Sequence, residues 1–358
     1  MNLNPIINNF QRSIRKVQIC CIFILSCTAC SLNIPYENQY SDPDVITTVT
    51  AARELLASAY DAIPKPEFSL SVLSDDFQPT FLINLNADLN NLYKWHPKPM
   101  EDLSNSLWEK YYSAIGIANT VLERIHYVSP ISDSDKQELQ CIVSEAKTLK
   151  AYCYFNLLRL FAPTYPEGPE KDGIILKERF ELAFLKRSSI SECVNAIRQL
   201  LTEAVTVDNR PSQVYWFSRQ SAYYLLAALE LYAANYDKAE EYALKILSST
   251  NAYDVLAPVH YKKLWEQEPC DECIFSLHTT NSYYTDMNYE RKKGDYFTIN
   301  STLTQLYAAD DIRYEATVYP QEMPGESIGE TLPVLYLGKY NKQNWNYKPI
   351  QYINKLRV

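Results

Sequence analysis

The chain has 358 residues, 47% of them apolar and 22% charged, with 34 Lys and Arg against 43 Asp and Glu for a net charge of −9. This is a globular composition, which excludes global disorder and a polytopic membrane protein. The acidic balance, without a Lys/Arg block, also excludes a nucleic-acid binder that works through phosphate contacts. Two counts stand out, 29 Tyr and only 7 Gly. So few glycines leave little room for phosphate-cradling loops or tight-hairpin β architectures. So much tyrosine means an aromatic core or a surface that works through aromatic faces.

Residues 1–29 contain Arg12, Arg15 and Lys16 and no acid. The apolar run 17–25, broken only by Gln18, is too short to span a bilayer as a helix and has the length of a signal-peptide core. Ser26-Cys27-Thr28-Ala29-Cys30 follows and resembles a bacterial lipobox, in which a cysteine behind a small residue is lipidated and becomes the mature N-terminus. Two registers compete. Cys27 has the branched residue Ile24 three places before it, whereas Cys30 stands directly before Ser-Leu-Asn-Ile-Pro; Cys30 is preferred. Residues 1–29 are therefore expected to be a lipoprotein signal peptide. Beyond the leader, the sparse and odd set Cys141, Cys153, Cys193, Cys270 and Cys273 is not a disulfide framework. Cys270 and Cys273 have C-x-x-C spacing but lack the further ligands of a zinc site, and read as incidental or as one local disulfide.

The body reads as paired helices. Residues 47–62 place Ala51, Leu55, Ala59 and Ala62 on one face and stop at Ile63-Pro64. The stretch 64–101 is polar and aromatic without a sustained period. A helix over 103–127 carries Leu107, Tyr111, Ala114, Ile115, Ala118, Val121, Leu122 and Ile125 at helical spacing. Residues 132–135 offer N-cap chemistry for a long helix from Lys136 to about Phe161. Further helices are expected over 188–205, 216–234 and 237–247. The last two, joined across Asn235-Tyr236, resemble a tetratricopeptide unit, with Tyr223, Leu226 and Ala227 facing Ala239, Ala243 and Ile246. Such units bury their apolar faces by stacking, so a right-handed superhelical scaffold is expected. Beyond 250 the pattern is irregular. A strand is expected over 272–277 and a short helix over 303–309, and the proline-dotted remainder has no clear period.

Several motifs, in order along the chain, then converge. Asn-Ile-Pro-Tyr-Glu-Asn-Gln-Tyr follows the lipobox, and the first helix ends in Ala-Tyr. Trp108-x-x-Tyr111, Ile115 and Ala118-Asn119 form a W-x-x-Y…A-N helix. Glu145-Ala146-x-x-Leu149-Lys150-Ala151-x-x-Tyr154-Phe155 forms an E-A-x-x-L-R-A-x-x-Y-F segment, with Lys150 in place of the usual arginine. Tyr253, Tyr261, Leu264, Trp265 and Ile274-Phe275 match an "L-F…E-I-F" region, and Asp310-Asp311-x-Arg313 a D-x-R turn. Together these resemble the SusD/RagB family of Bacteroidetes outer-membrane nutrient-binding lipoproteins. The end of the chain, residues 351–358, is similar to the approach to the family's next signature, an R-L-S/A-E helix. Residues 30–250 are expected to form the SusD-like helical region and 251–358 an incomplete C-terminal region.

The resemblance implies a mainly α-helical, tetratricopeptide-like scaffold with an irregular, loop-rich binding part. It also implies a non-catalytic lipoprotein of the outer membrane that captures oligosaccharides for a SusC-like TonB-dependent transporter, without a cofactor. Peptide capture and a pure protein-interaction scaffold are the alternatives. The residues agree: His96, His126, His260 and His278 are scattered, and no HExxH, GxSxG, P-loop or GxGxxG motif is present. In the family the ligand face draws on two loops, here 75–96 and 279–299. These contribute Asp76, Asn90, Tyr93 and Trp95 from the first, and Tyr283, Tyr284, Tyr289, Arg291 and Tyr296 from the second. Flat aromatic faces stack on the C–H faces of sugar rings, while Asn, Asp and Arg bond hydroxyls. Against these assignments, Tyr93 and Trp95 can also be read as core aromatics of a long loop, and Tyr284 or Tyr296 as packing on the helices. The Trp108 and Glu145 motifs read as scaffold, with a buried Trp and Tyr and with Asn119 bonded to backbone.

Overall fold

The computed structural model describes residues 46–179, 184–248, 261–263, 273–279, 296–325, 327, 329–337 and 348–354. The chain enters through α1 (Val49–Ala62), whose N-cap Thr48 accepts from the Ala51 N–H and whose end is set by Ile63-Pro64. Then follow α2 (Glu67–Leu73), β1 (Phe77–Pro79), a 3-10 turn (Phe81–Leu85) and α3 (Ala87–Tyr93). Four longer helices come next. They are α4 (Pro97–Arg124), α5 (Asp133–Phe161), α6 (Ile190–Ala204) and α7 (Arg219–Tyr232). Pro97 at the first turn of α4 gives up an N–H that would have had no partner. Capping boxes at Ser132, Ser189 and Ser218 open α5, α6 and α7. Helix α8 (Tyr236–Leu247) returns against α7 after a three-residue turn.

The helices stack in chain order, α4 on α5, α5 on α6, α6 on α7 and α7 on α8, while α1 lies against both α4 and α5. The scaffold is thus mainly helical and tetratricopeptide-like. Helix α5 is its hub. From Ser144 to Leu158 it is buried on nearly every side, as expected of a helix surrounded by four others. Ala52, Ala59, Ala114, Ala118, Ala146 and Ala151 are all buried and let the backbones approach. The buried face of α1 is Ala52, Leu56, Ala59 and Tyr60, one position on from the face expected from periodicity. Packing against two helices at once selects the stripe that both can share.

One polar network sits inside this packing. Glu145 is only 1% exposed. It accepts from the Arg53 guanidinium at 2.8 Å, from the Tyr60 hydroxyl at 3.2 Å and from Asn209 Nδ2 at 3.3 Å. Tyr60 in turn accepts from the Phe217 N–H at 2.8 Å, and Arg53 also bonds Glu138. The family-like Glu145 therefore ties α1, α5 and the loop before α7 together. Burial raises its carboxyl to about 6, against the pull of Arg53, Asn209 and Tyr60.

The tyrosine surplus is partly structural. In the segment 173–177, Gly173 donates to the Ser188 carbonyl at 2.7 Å and Ile174 accepts from the Ser188 N–H at 2.8 Å, and the next residues are held by side chains. The Tyr112 hydroxyl donates to the Ile175 carbonyl (2.8 Å) and accepts from its N–H (2.9 Å), and Tyr154 does the same to Lys177 at 2.7 and 2.8 Å. Each hydroxyl thus satisfies a donor and an acceptor of half-buried backbone. Asn119 donates to the Lys177 carbonyl at 2.8 Å, the backbone bond expected of it. Tyr111 is buried, but Trp108 is only half-buried. It packs on Tyr112 and Phe161 beneath the Arg187 guanidinium, which corrects the expectation of a buried tryptophan.

Two stretches that periodicity left irregular hold regular elements among their described residues. Residues 64–101 hold α2, β1, α3 and the start of α4, elements too short for a period to declare itself. Beyond 270 lie β2 (Cys273–Thr279), β3 (Phe297–Ile299), α9 (Ser301–Thr304), α10 (Ile312–Thr317), β4 (Val318–Pro324), β5 (Thr331–Leu337) and β6 (Lys348–Asn354). The strands form three antiparallel pairs, β1–β3, β2–β6 and β4–β5. Both strands of a two-stranded ribbon are edges, so Pro320, Pro324 and Pro333 are tolerated in β4 and β5 and hide the strand signal. The short helix expected over 303–309 is instead α9, and Asp311 caps α10 by accepting from the Arg313 N–H while pairing with the Arg313 guanidinium.

Candidate functional site

The two loops singled out in the sequence, more than 200 residues apart, meet at the β1–β3 pair. Phe77 opposes Ile299, Gln78 opposes Thr298 and Pro79 opposes Phe297. Two backbone bonds extend this ladder at its ends: the Asn300 N–H donates to the Asp76 carbonyl and the Thr80 N–H to the Tyr296 carbonyl, both at 2.9 Å. Aromatic rings close over one side of the junction. Phe297 stacks on Phe77 at 5.7 Å and touches Phe68 at 6.4 Å, and Tyr93 leans on Phe297 at 5.7 Å.

The candidate residues divide accordingly. Asp76 and Tyr296 flank the ladder, with Asp76 exposed and Tyr296 half-buried. Tyr93 belongs to the aromatic cluster and is half-buried, and the Asn90 carboxamide donates to Asn84 Oδ1 at 3.4 Å. Trp95 is set apart from all of these, 61% exposed at the elbow between α3 and α4. Tyr283, Tyr284, Tyr289 and Arg291 lie outside the described residues, as do Cys27, Cys30 and Cys270.

The conformation at the elbow is specific. Helix α3 ends in a Schellman motif: the Trp95 N–H donates to the Leu92 carbonyl and the His96 N–H to the Asn91 carbonyl, both at 2.9 Å. The residue between must be left-handed, and Trp95 takes φ +57°. Glycine is the usual occupant, and an L-residue there costs about 1–2 kcal/mol. The same motif recurs at Ala234 (φ +58°) after α7, so a glycine-poor chain uses other residues at this position. Alanine is the small substitute; a tryptophan held there and turned to solvent is an outlier that invites a functional explanation.

Beside the elbow runs a groove of about 640 Å³ between α3 and the first turns of α4. Its polar lining is Asn86, Asp88, Asn91, Lys98 and Asp102, and Leu89, Leu92 and Pro99 supply its apolar part. Three of these groups are committed: Asn86 caps α3 by accepting from the Leu89 N–H at 3.1 Å, and Lys98 pairs with Asp102. Asp88 and Asn91, one turn apart on α3, have no side-chain partner among the described residues. A carboxylate and a carboxamide in a groove can accept from and donate to hydroxyls, and an exposed indole at the elbow offers a face on which a ring can stack. These lining residues escaped sequence reading because α3 itself did; the i, i+3 spacing of Asp88 and Asn91 was the available signal. Among the described residues no cluster of His, Cys, Asp or Glu is placed to hold a metal ion, and Cys141, Cys153 and Cys193 are free thiols.

Comparison with known proteins agrees with this architecture. The model of the SusD-like family described as "starch-binding associating with outer membrane" matches residues 35–231, more than half of the chain. Among solved structures, a SusD-like carbohydrate binding protein from Bacteroides vulgatus superposes with a TM-score of 0.71 at 15% identity, over 87% of this chain and 70% of that one. A SusD superfamily protein from Bacteroides thetaiotaomicron gives 0.70 at 18% identity, over 87% and 74%. A laminarin binding SusD-like protein gives 0.67 at 19% identity, over 87% and 79%. At these identities the likeness is one of fold. No curated protein sequence matches the chain. The motifs, the stacked helices and the family match together make this chain a member of the SusD-like family.

Proposed function

We propose that this protein is a non-catalytic glycan-binding lipoprotein of the outer membrane, which holds oligosaccharides at the α3–α4 elbow and passes them to a SusC-like TonB-dependent transporter. The observation that carries the reading is Trp95, exposed in a left-handed position that disfavours it, at the elbow between the two helices whose groove is lined by Asp88 and Asn91. Stacking on its indole would supply apolar contact, and the two polar groups would fix hydroxyl orientation. Asp76 and Tyr296 extend the same reading to the ladder, and Tyr283, Tyr284, Tyr289 and Arg291 belong to it by their sequence position. Membership of a family described as starch-binding, and the fold shared with a laminarin binding protein, support carbohydrate as the ligand class. Cys30, or Cys27 in the alternative register, is the proposed lipid attachment.

Affinity electrophoresis of the purified protein through gels containing starch, laminarin or other neutral polysaccharides tests the reading. Retardation by one polymer, lost in Trp95→Ala, is the expected result. A folded protein that migrates unretarded through every polymer would sink carbohydrate capture.

A further inference from the structure

A second cavity lies where the end of α1, the loop before α7 and β2 come together. It measures about 320 Å³ and shares no lining residue with the groove at the α3–α4 elbow. Tyr60, Tyr215, Trp216 and Leu277 line it with Ala57, and Asp61 and Lys65 bring charge.

Its aromatic walls are held in place. The Tyr60 hydroxyl is locked between Glu145 and the Phe217 N–H. Trp216 meets Tyr60 edge-on at 5.0 Å, has the Arg53 guanidinium over its ring at 5.1 Å, and lies 5.5 Å from Tyr215. Binding would not need to order these rings, which removes a cost that flexible sites carry. Lys65 stands between Pro64 and Pro66, whose fixed φ angles restrict its backbone. Asp61 is exposed, Lys65 half-buried, and neither has a hydrogen-bond or ion-pair partner among the described residues.

These groups narrow the ligand. A purely apolar molecule would desolvate a carboxylate and an ammonium without giving either a partner. A cation would be opposed by Lys65 and an anion by Asp61. A neutral polyhydroxylated ring meets all the conditions: its C–H face lies on an aromatic wall, one hydroxyl donates to Asp61 and another accepts from Lys65. The volume is at the lower end of the roughly 300–1,000 Å³ found for small-molecule sites, which suits one ring better than a polymer segment.

We propose that this cavity is a second saccharide subsite that takes a single neutral sugar ring. The inference rests on the carbohydrate-binding reading, so its test must report on the two sites separately. Full-length protein labelled with 5-fluorotryptophan provides this, with the Trp95 and Trp216 fluorine resonances assigned by their loss in Trp95→Phe and Trp216→Phe. The labelled protein is titrated with a panel of neutral oligosaccharides that includes maltohexaose and laminarihexaose, and separately with triglycine.

The expected result is a saturable shift of both resonances with one sugar. Asp61→Asn and Lys65→Ala should each weaken the Trp216 response by about ten-fold and leave the Trp95 midpoint unchanged. If Trp95 responds and Trp216 does not, or if Trp216 responds equally in both charge variants, the subsite is overturned and the function proposed above stands. If neither resonance responds to any sugar, both readings fall. If Trp216 responds to triglycine alone, the occupant is a zwitterionic peptide and the sugar assignment is wrong.

Discussion

Tyr93 and Trp95 are two residues apart, yet the Tyr93 ring packs on Phe297 at 5.7 Å while Trp95 is 61% exposed. Tyr93 is the last residue of α3, and only Lys94 lies between the two. Tyr93 closes the helix on its inner side, and the left-handed step at Trp95 turns the chain into α4. One of the two aromatics thereby becomes packing and the other becomes surface.

Trp95→Gly separates the stability of this elbow from its binding role. Glycine relieves the left-handed strain, so the variant should gain about 1 kcal/mol in urea unfolding. The same variant should lose about ten-fold in polysaccharide affinity, because the stacking face is gone. A gain in stability with unchanged retention would place the ligand elsewhere.

Glu145 gives a pH signature. Burial raises it from an ordinary 4.5 to about 6, so the folded state favours the protonated carboxyl. Its contribution is therefore fully present below about pH 4.5 and is lost as the pH rises to about 6, by roughly 2 kcal/mol. Glu145→Gln should lack this component. The difference between the wild-type and variant unfolding free energies, measured from pH 4.5 to 7, should vary over that window and be flat above it.

Lys150 behaves in the opposite sense. It is 7% exposed on α5, where burial lowers its ammonium from 10.5 to about 8 and Glu178 and Glu123 only partly oppose the shift. The folded state favours the neutral amine, so stability rises between about pH 8 and 10.5. Lys150→Met should stabilise the protein at pH 7 by roughly 1–3 kcal/mol, and the gain should shrink by pH 10. Thermal unfolding at the two pH values is the measurement. Destabilisation at pH 7 would mean that the ammonium contributes more through the Tyr154 ring, 5.7 Å away, than its burial costs.

The anchor is tested by metabolic labelling. Palmitate should be incorporated by the wild type and by Cys27→Ala but not by Cys30→Ala, and the unlabelled variant should leave the membrane fraction. Loss of label in Cys27→Ala alone would select the other register.

The long helices could be read from sequence because each is longer than three turns and carries its own punctuation, such as Ser132, Ser189 and the Ile63-Pro64 stop. Their motifs also identified the family. The elements from α2 to α3 could not be read, since a seven-residue helix or a three-residue strand is shorter than the window in which a period shows itself. With α3 unread, its polar face was unread as well, and Trp95 was a candidate by position and residue type only. That Asp76 and Tyr296 flank one ladder depends on the pairing of β1 with β3 across more than 200 residues, which no local pattern encodes. Burial was likewise decided in the fold. Glu145 and Lys150 are five residues apart in the same helix. The first sits among Arg53, Tyr60 and Asn209, and the second has no hydrogen-bond partner among the described residues, because their neighbours come from different helices and loops. Sequence determined which segments are helical and to which family they belong, since those properties reside in local spacing. Which aromatic is core and which is surface, and which charges are paired, was decided by tertiary structure, because each depends on groups that only folding brings within a few ångströms.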